Sequence, residues 1–245
     1  MKKTIVLTAL ICCTIFSYAQ KEIERELKPF NKIIASPRIN VILKKGETEN
    51  IRLAYNNVSE SKINIEVRNK TLHIYLDDAK KVEKTIRYHD NDGSRHGIYK
   101  DVTITAYVTY KDLEALEIRG EQELTCLDPI ESEQFKLRAY GENEITLASL
   151  KTDYFKASLY GENRLKIKGG KVVEQRYRIF GENKIDTQEM KSAYTSTSIF
   201  GEGKLSVNSS EEVRVNAFGE PRISIDGGAH LSKRLVFGKA DISQN

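Results

Sequence analysis

The chain of 245 residues has no tryptophan, only three cysteines and no marked excess of either charge. Two of the cysteines, Cys12 and Cys13, fall in an apolar N-terminal leader. With the leader removed, Cys126 stands alone. No intramolecular disulfide is then available, and stability must come from packing and hydrogen bonds. Cys126 sits in Leu124-Thr125-Cys126-Leu127, an alternating strand pattern that predicts a buried structural thiol. A nucleophilic cysteine would need a poised histidine. The four histidines (His73, His89, His96 and His230) show no recognisable spacing to it.

The formal charge is +4, and Lys2 and Lys3 of the leader account for part of it. Residues 20–118 carry 18 basic and 16 acidic groups, and residues 119–245 carry 19 of each. This balance excludes nucleic acid and anionic lipid as partners recruited by bulk charge, because such binders need a net basic face. At 39% hydrophobic and 30% charged the composition is that of a globular protein.

Residues 1–19 read as a signal peptide. Lys2 and Lys3 form the charged start, Thr4 to Phe16 the apolar stretch, and Ser17-Tyr18-Ala19 the small-residue cleavage site before Gln20. The apolar stretch falls short of the roughly 20 residues that span a bilayer. Ile11 and Cys12, which precede the two leader cysteines, do not fit a lipoprotein signal. No second long apolar stretch follows, so the mature chain is expected to lack a transmembrane segment. Its expected place is the periplasm, the cell surface or the outer membrane.

The chain changes character near residue 119, beyond which lie twelve of the fifteen glycines. Arg119-Gly120-Glu121, Tyr140-Gly141-Glu142-Asn143, Tyr160-Gly161-Glu162-Asn163 and Phe180-Gly181-Glu182-Asn183 recur in turn. Phe200-Gly201-Glu202-Gly203, Phe218-Gly219-Glu220-Pro221 and Phe237-Gly238-Lys239-Ala240 complete the series. The glycine spacings are 21, 20, 20, 20, 18 and 19. Within each unit, as in Phe155, Ala157 and Leu159 followed by Leu165 and Ile167, apolar residues alternate with polar ones. Period two means strands with one buried face. Helical repeats and propeller blades need longer periods, and the leucine-rich consensus is absent. The pattern predicts an all-β chain: a parallel β-helix with coils of about 20 residues. Residues 119–245 form the repeat, and residues 20–118 form a β region that starts and caps it.

Stacked coils lie about 4.8 Å apart. Glycine supplies the bend between strands. Tyr140, Tyr160, Phe180, Phe200, Phe218 and Phe237 are then expected to form an aromatic column. Glu142, Glu162, Glu182, Glu202 and Glu220 form a carboxylate column, and Asn143, Asn163 and Asn183 an amide ladder. The aromatic column is either core or, facing outward, a strip able to hold sugars or another protein. Repulsion of about 1 kcal/mol per neighbouring glutamate pair needs an offset. Arg164, Lys184, Lys204 and Arg222 suggest a surface salt-bridge lattice. A cation held by stacked Glu and Asn oxygens and a catalytic carboxylate pair are the other readings. The last has against it that near-identical carboxylates lack the asymmetry of an acid–base pair. The ten candidate binding residues are thus Tyr140, Tyr160, Phe180, Phe200, Glu142, Glu162, Glu182, Asn143, Asn163 and Asn183, with no catalytic residue, metal or cofactor assigned.

Residues 20–118 are less regular. Ile39–Leu43, Ile63–Val67, Leu72–Leu76 and Val102–Val108 read as strands. The charged stretch 77–101 reads as a protruding loop. Within it, His89-Asp90-Asn91-Asp92-Gly93 with His96 is either a turn or a metal site.

The Phe30-Asn31-Lys32-Ile33 entry, the Ile39-Asn40-Val41-Ile42-Leu43 strand, the Leu72-His73-Ile74 strand, the Val102–Leu113 segment and the Gly-centred rungs together carry a resemblance. Over residues 29–242 the chain resembles the putative auto-transporter adhesin, head GIN domain family of Bacteroidota-type bacteria. The resemblance implies a right-handed, single-stranded parallel β-helix with no identified catalytic residues and a role in adhesion. Family members often carry Gly/Ser-rich rungs where this chain has Gly-Glu-Asn. Two functions are in play: a non-catalytic binding domain for glycan or a host or cell-surface protein, and a polysaccharide-active lyase or hydrolase. A third is self-assembly into a homo-oligomer through the strand edge left by Val236 to Ile242, which Lys239 and Asp241 would discourage.

Overall fold

Alternation of apolar and polar residues governs nearly every element. A computed structural model describes residues 21–87 and 95–245. The proposed leader and the His89–Gly93 motif lie outside the described residues. Three-quarters of the chain is strand, arranged as a parallel β-solenoid of about six turns.

In chain order, β1 (Lys21–Glu26), β2 (Lys32–Ala35), β3 (Ile39–Lys45) and β4 (Asn50–Asn56) precede a short 3-10 turn at Glu60–Lys62. Then come β5 (Ile63–Arg68), β6 (Thr71–Leu76), β7 (Thr85–Arg87), β8 (Arg95–Gly97), β9 (Thr103–Tyr110) and β10 (Ala115–Gly120). The repeat comprises β11 (Glu123–Gly141), β12 (Glu144–Gly161), β13 (Arg164–Ile167), β14 (Gly170–Gly181), β15 (Asn183–Asp226), β16 (His230–Phe237) and β17 (Asp241–Gln244). Continuous pairing through the corners makes β15 a single strand of 44 residues.

Each coil has three runs, and each run stacks in parallel on its equivalents. In the first run, Gln134–Gly141 pairs with Tyr154–Gly161, which pairs with Glu174–Gly181. In the second, Glu144–Leu147 pairs with Arg164–Ile167. In the third, Leu150–Thr152 pairs with Gly170–Val172. Inward residues from all three meet in one core: Phe155, Ala157, Leu159, Leu165, Ile167 and Val172 are at most 2% exposed. Burying each large apolar side chain contributes about 1.5–3 kcal/mol. Phe135 stacks on Phe155 at 6.1 Å, and Tyr177 meets Phe155 edge-on at 5.9 Å.

The glycine corner has a steric cause beyond its positive φ. A Cβ on Gly161 would lie 2.3 Å from the Gly141 carbonyl oxygen. That oxygen accepts the Glu162 N–H at 2.9 Å. Gly181 stands in the same relation to Gly161, so each coil requires the glycine of the next.

Before the repeat, chain order and spatial order part. β2 lies between β6 and β10, and β3 between β9 and β11, all in parallel. The β2–β3 rung is therefore sandwiched between a rung made later (β6 and β9) and the first regular coil. The sheet then ends on antiparallel strands: β5 on β6, and β4 followed by β1 on β9. Within the charged stretch, the described residues 77–87 and 95–101 are anchored to the body of the fold. Ala79 and Tyr99 are buried, Arg38 pairs with Glu83 at 2.8 Å, and β7 pairs with β8 as a small hairpin.

Candidate functional site

The first run of each coil presents the richest outer surface. Its last outward position carries the aromatic column. Successive centroids from Tyr140 through Tyr160, Phe180, Phe200 and Phe218 are 5.0, 5.0, 4.9 and 4.8 Å apart, with planes within 5°. Phe237 closes the stack at 5.3 Å and 17°. The rings face outward. Tyr140 is 38% exposed, Phe200 39% and Phe237 60%, and the others are half-buried. The alternative of a core column does not hold, because inward-facing Leu159 and Ile179 set the opposite parity for Tyr160 and Phe180.

Beyond the glycine the chain turns a corner. The asparagines point inward and are 1–2% exposed. Asn143 Nδ2 donates to Asn163 Oδ1 at 2.8 Å, and Asn163 Nδ2 donates to Asn183 Oδ1 at 2.9 Å. The same amides donate to Tyr140 O and Tyr160 O, one residue before the glycine. The ladder stops at Gly203, where a Cβ would lie 2.3 Å from Asn183 O.

Glu142, Glu162 and Glu182 are exposed and line an open groove of about 850 Å³ together with Arg164, Lys184 and Lys204. The expected salt-bridge lattice is absent: among the described residues, no acid of this column lies within 4.0 Å of these bases. The physical reason is that both columns are solvated, and an exposed pair gains too little to hold two long side chains together. Register also breaks the expected alternation, since Arg164 stacks on Glu144 and Lys184 on Arg164. No group of three or more His, Cys, Asp or Glu among the described residues is arranged to hold a metal.

Two features escaped the sequence reading. The first is a cationic patch beside the aromatic column. Lys136, Lys156 and Arg176 are in register, as are Arg138, Ser158 and Arg178. The spacing of 20 between Lys136, Lys156 and Arg176 was the available signal. The second is a buried polar network inside the middle coils. Gln175 Nε2 donates to Ser192 Oγ at 2.9 Å and Thr195 Oγ1 at 2.8 Å. Tyr177 OH donates to Gln175 Oε1 at 2.7 Å. Cys126 is buried beside the Tyr110 hydroxyl at 3.5 Å, and burial pushes its thiol above the ordinary cysteine range.

Fold and outer surface together define a parallel β-solenoid whose one face carries an exposed aromatic ladder. The chain belongs to the family described as "Putative auto-transporter adhesin, head GIN domain", whose profile matches residues 29–229. Solved structures share the fold at low identity. A putative adhesin from Bacteroides fragilis superposes with a TM-score of 0.74 at 15% identity, covering 94% of this chain and 98% of that one. One from Parabacteroides merdae gives 0.68 at 16%, covering 94% and 97%. A putative lipid binding protein from Parabacteroides distasonis gives 0.63 at 14%, covering 94% and 98%. No curated protein matches the chain. No helix among the described residues is long and apolar enough to cross a membrane.

Proposed function

We propose that this protein is an exported, non-catalytic adhesion module that holds an extended glycan along its aromatic ladder. The leader at residues 1–19 directs export to the periplasm or cell surface, and the antiparallel strands β1, β4 and β5 cap the solenoid. The observation that carries this reading is the ladder itself: five outward rings, parallel within 5° and at most 5.0 Å apart. The stacked rings turn their faces to one another and their edges outward, so the strip is a continuous apolar ridge against which the apolar faces of successive sugar rings can pack. Family membership and the adhesin-named neighbours of this fold support a binding role. Asn143, Asn163 and Asn183 act from inside by holding the corner, and Glu142, Glu162 and Glu182 border the strip.

The groove with unpaired acids is the one observation that favours a polysaccharide-cleaving enzyme. Its glutamates, however, run in a column of equivalent, exposed positions. Nothing sets a proton donor apart from a base, as paired-carboxylate hydrolysis needs. A glycan array with host-matrix proteins, run with and without calcium, tests the binding reading. A glycan signal lost in Tyr160→Ala plus Phe180→Ala, with unchanged circular dichroism, is expected. A glycan signal untouched by the double variant refutes the ladder as the site, and cleavage of acidic polysaccharides refutes the non-catalytic assignment.

A further inference from the structure

The outer surface beside the ladder is not electrically neutral, although the chain is nearly so. Lys136, Arg138, Lys156, Arg176 and Arg178 lie on three successive coils in two adjoining outward columns. With about 4.8 Å between coils and about 6.6 Å between alternate residues of a strand, five cations share a patch about 10 Å by 7 Å. Two have partial partners: Arg138 reaches Glu117 at 3.6 Å, and Arg176 reaches Glu174 at 3.0 Å. Lys136, Lys156 and Arg178 have no carboxylate within 4.0 Å among the described residues.

Like charges opposed across strands are destabilising. The strain registers on Lys156. Burial lowers its pKa below the ordinary lysine range, and Arg178, Arg176, Arg138 and Lys136 push it the same way. One coil further on the same columns read Ser196 and Ser198. The fold therefore does not require cations at these positions, and the patch is confined to the coils that carry Tyr140, Tyr160 and Phe180. Arg178 precedes Phe180 by two residues on the same outer side. The two tyrosines stand at the cationic end of the ladder, where their hydroxyls add hydrogen-bonding groups that the phenylalanines lack.

We propose that the ligand of this face is an anionic glycan, its sugar rings packing along the exposed edges of Tyr140, Tyr160 and Phe180 and its acidic groups meeting Lys136, Lys156 and Arg178. The proposal rests on the ladder reading and adds the ligand's charge. A patch three coils long, bordered by Glu117 and Glu174, is too short to track a nucleic-acid backbone. Half-buried rings flush with a sheet do not supply the projecting apolar face that enters a membrane. Carboxylates of a uronate and sulfate esters share the required chemistry, so separate arms of the test distinguish them.

Binding of the purified protein is measured by affinity electrophoresis against a polyuronate, a sulfated glycan and a neutral β-glucan. Anionic phospholipid vesicles and single-stranded DNA serve as competing anions. At least one anionic glycan is expected to bind best and to weaken steeply with salt. The triple variant Lys136→Ser, Lys156→Ser and Arg178→Ser is expected to weaken that binding by roughly tenfold or more. Serine already occupies both columns one coil beyond the patch, at Ser196 and Ser198, and circular dichroism checks the fold. Salt dependence of the unaltered protein gives an answer that needs no variant. Neutral glucan binding as tight as anionic, unchanged in the triple variant and lost in Tyr160→Ala plus Phe180→Ala, overturns the charge proposal and leaves the ladder reading standing. Tighter binding to vesicles or DNA than to any glycan overturns the charge proposal, and no glycan binding at all overturns both.

Discussion

Replacing Asn163 by aspartate keeps its shape and should be worse than deleting it. Asn163 is 1% exposed. Its Oδ1 accepts from Asn143 Nδ2 at 2.8 Å and Asn143 N at 3.3 Å. Its Nδ2 donates to Asn183 Oδ1 at 2.9 Å and Tyr160 O at 3.3 Å. Asn163→Ala removes these bonds and strands the Asn143 N–H. Counting the two short bonds at about 1 kcal/mol net each, the two at 3.3 Å as minor, and up to about 2 kcal/mol for the stranded donor, the cost is about 2–4 kcal/mol. For a chain of this size that is about 4–16 °C in melting temperature. Asn163→Asp retains the bonds from Asn143 but aims a second oxygen at two acceptors, and it buries a charge without a cation. Loss at neutral pH should exceed that of alanine, toward the roughly 3–5 kcal/mol of an uncompensated buried charge.

The aspartate variant also carries a pH signature. Its folded-state pKa must rise above the unfolded value of about 3.9, because the neutral form alone can donate to Asn183 Oδ1 or Tyr160 O. The stability of the neutral form is thus fully present below about pH 4 and lost as pH rises through the folded value. Urea denaturation of the wild type and both variants near pH 7 and near pH 4, with hydrogen exchange to catch local opening of the solenoid, measures this. Aspartate as stable as asparagine at neutral pH, or a deficit independent of pH, would refute the ladder as a structural hydrogen-bond column.

Gly161→Ala places a Cβ 2.3 Å from the Gly141 carbonyl oxygen at φ +108, whereas Gly228→Ala, at φ +77, meets nothing within 4 Å. Thermal melts should show the first losing more than about 3 kcal/mol and the second about 1 kcal/mol. Among the described residues Thr197 Oγ1 has no partner and is buried, so Thr197→Val should raise stability by about 1 kcal/mol in urea denaturation. Cys126 is 1% exposed and its thiol is raised by burial. Reaction with a thiol reagent should be slow in the native protein and fast in denaturant. Above about pH 8.5, where the unfolded thiol ionises, Cys126 should contribute a fall in stability with rising pH that Cys126→Ala removes.

The repeat was legible because its causes recur with the coil. Each glycine lies against the carbonyl of the one before it, so the spacing of Gly141, Gly161 and Gly181 is written into the sequence. The rings and asparagines beside them inherit that spacing. The N-terminal order was not legible. Nothing local to Lys32–Ala35 says that Thr71–Leu76, made later, will lie beneath it, because that pairing is decided by the core both share. The salt-bridge expectation failed at Glu162 and Arg164 for a related reason. Glu162 and Arg164 are close in sequence, but they straddle a corner whose inner position, Asn163, belongs to the core. Gln175, Thr195 and Ser209 carry no sequence signal of burial, since polar residues ordinarily stay at the surface, yet they stack inside the solenoid and satisfy one another.

What a repeat conserves within itself and what it varies have different physical origins. Gly161 and Asn163 recur because each coil makes the next one's steric and hydrogen-bonding demands, so their regularity speaks of scaffold and not of ligand. The outward columns face no such demand. At the position after Lys136 and Lys156 the next coils place Arg176 and then Ser196, and any of these side chains fits the same backbone. A run of cations there, against repulsion, is a departure the fold does not need. Functional information in a solenoid is therefore to be sought column by column, at positions that break the repeat without being forced to. A net charge summed over the chain hides it, because the acids of the glycine corner cancel the bases beside the ladder in arithmetic but not in space.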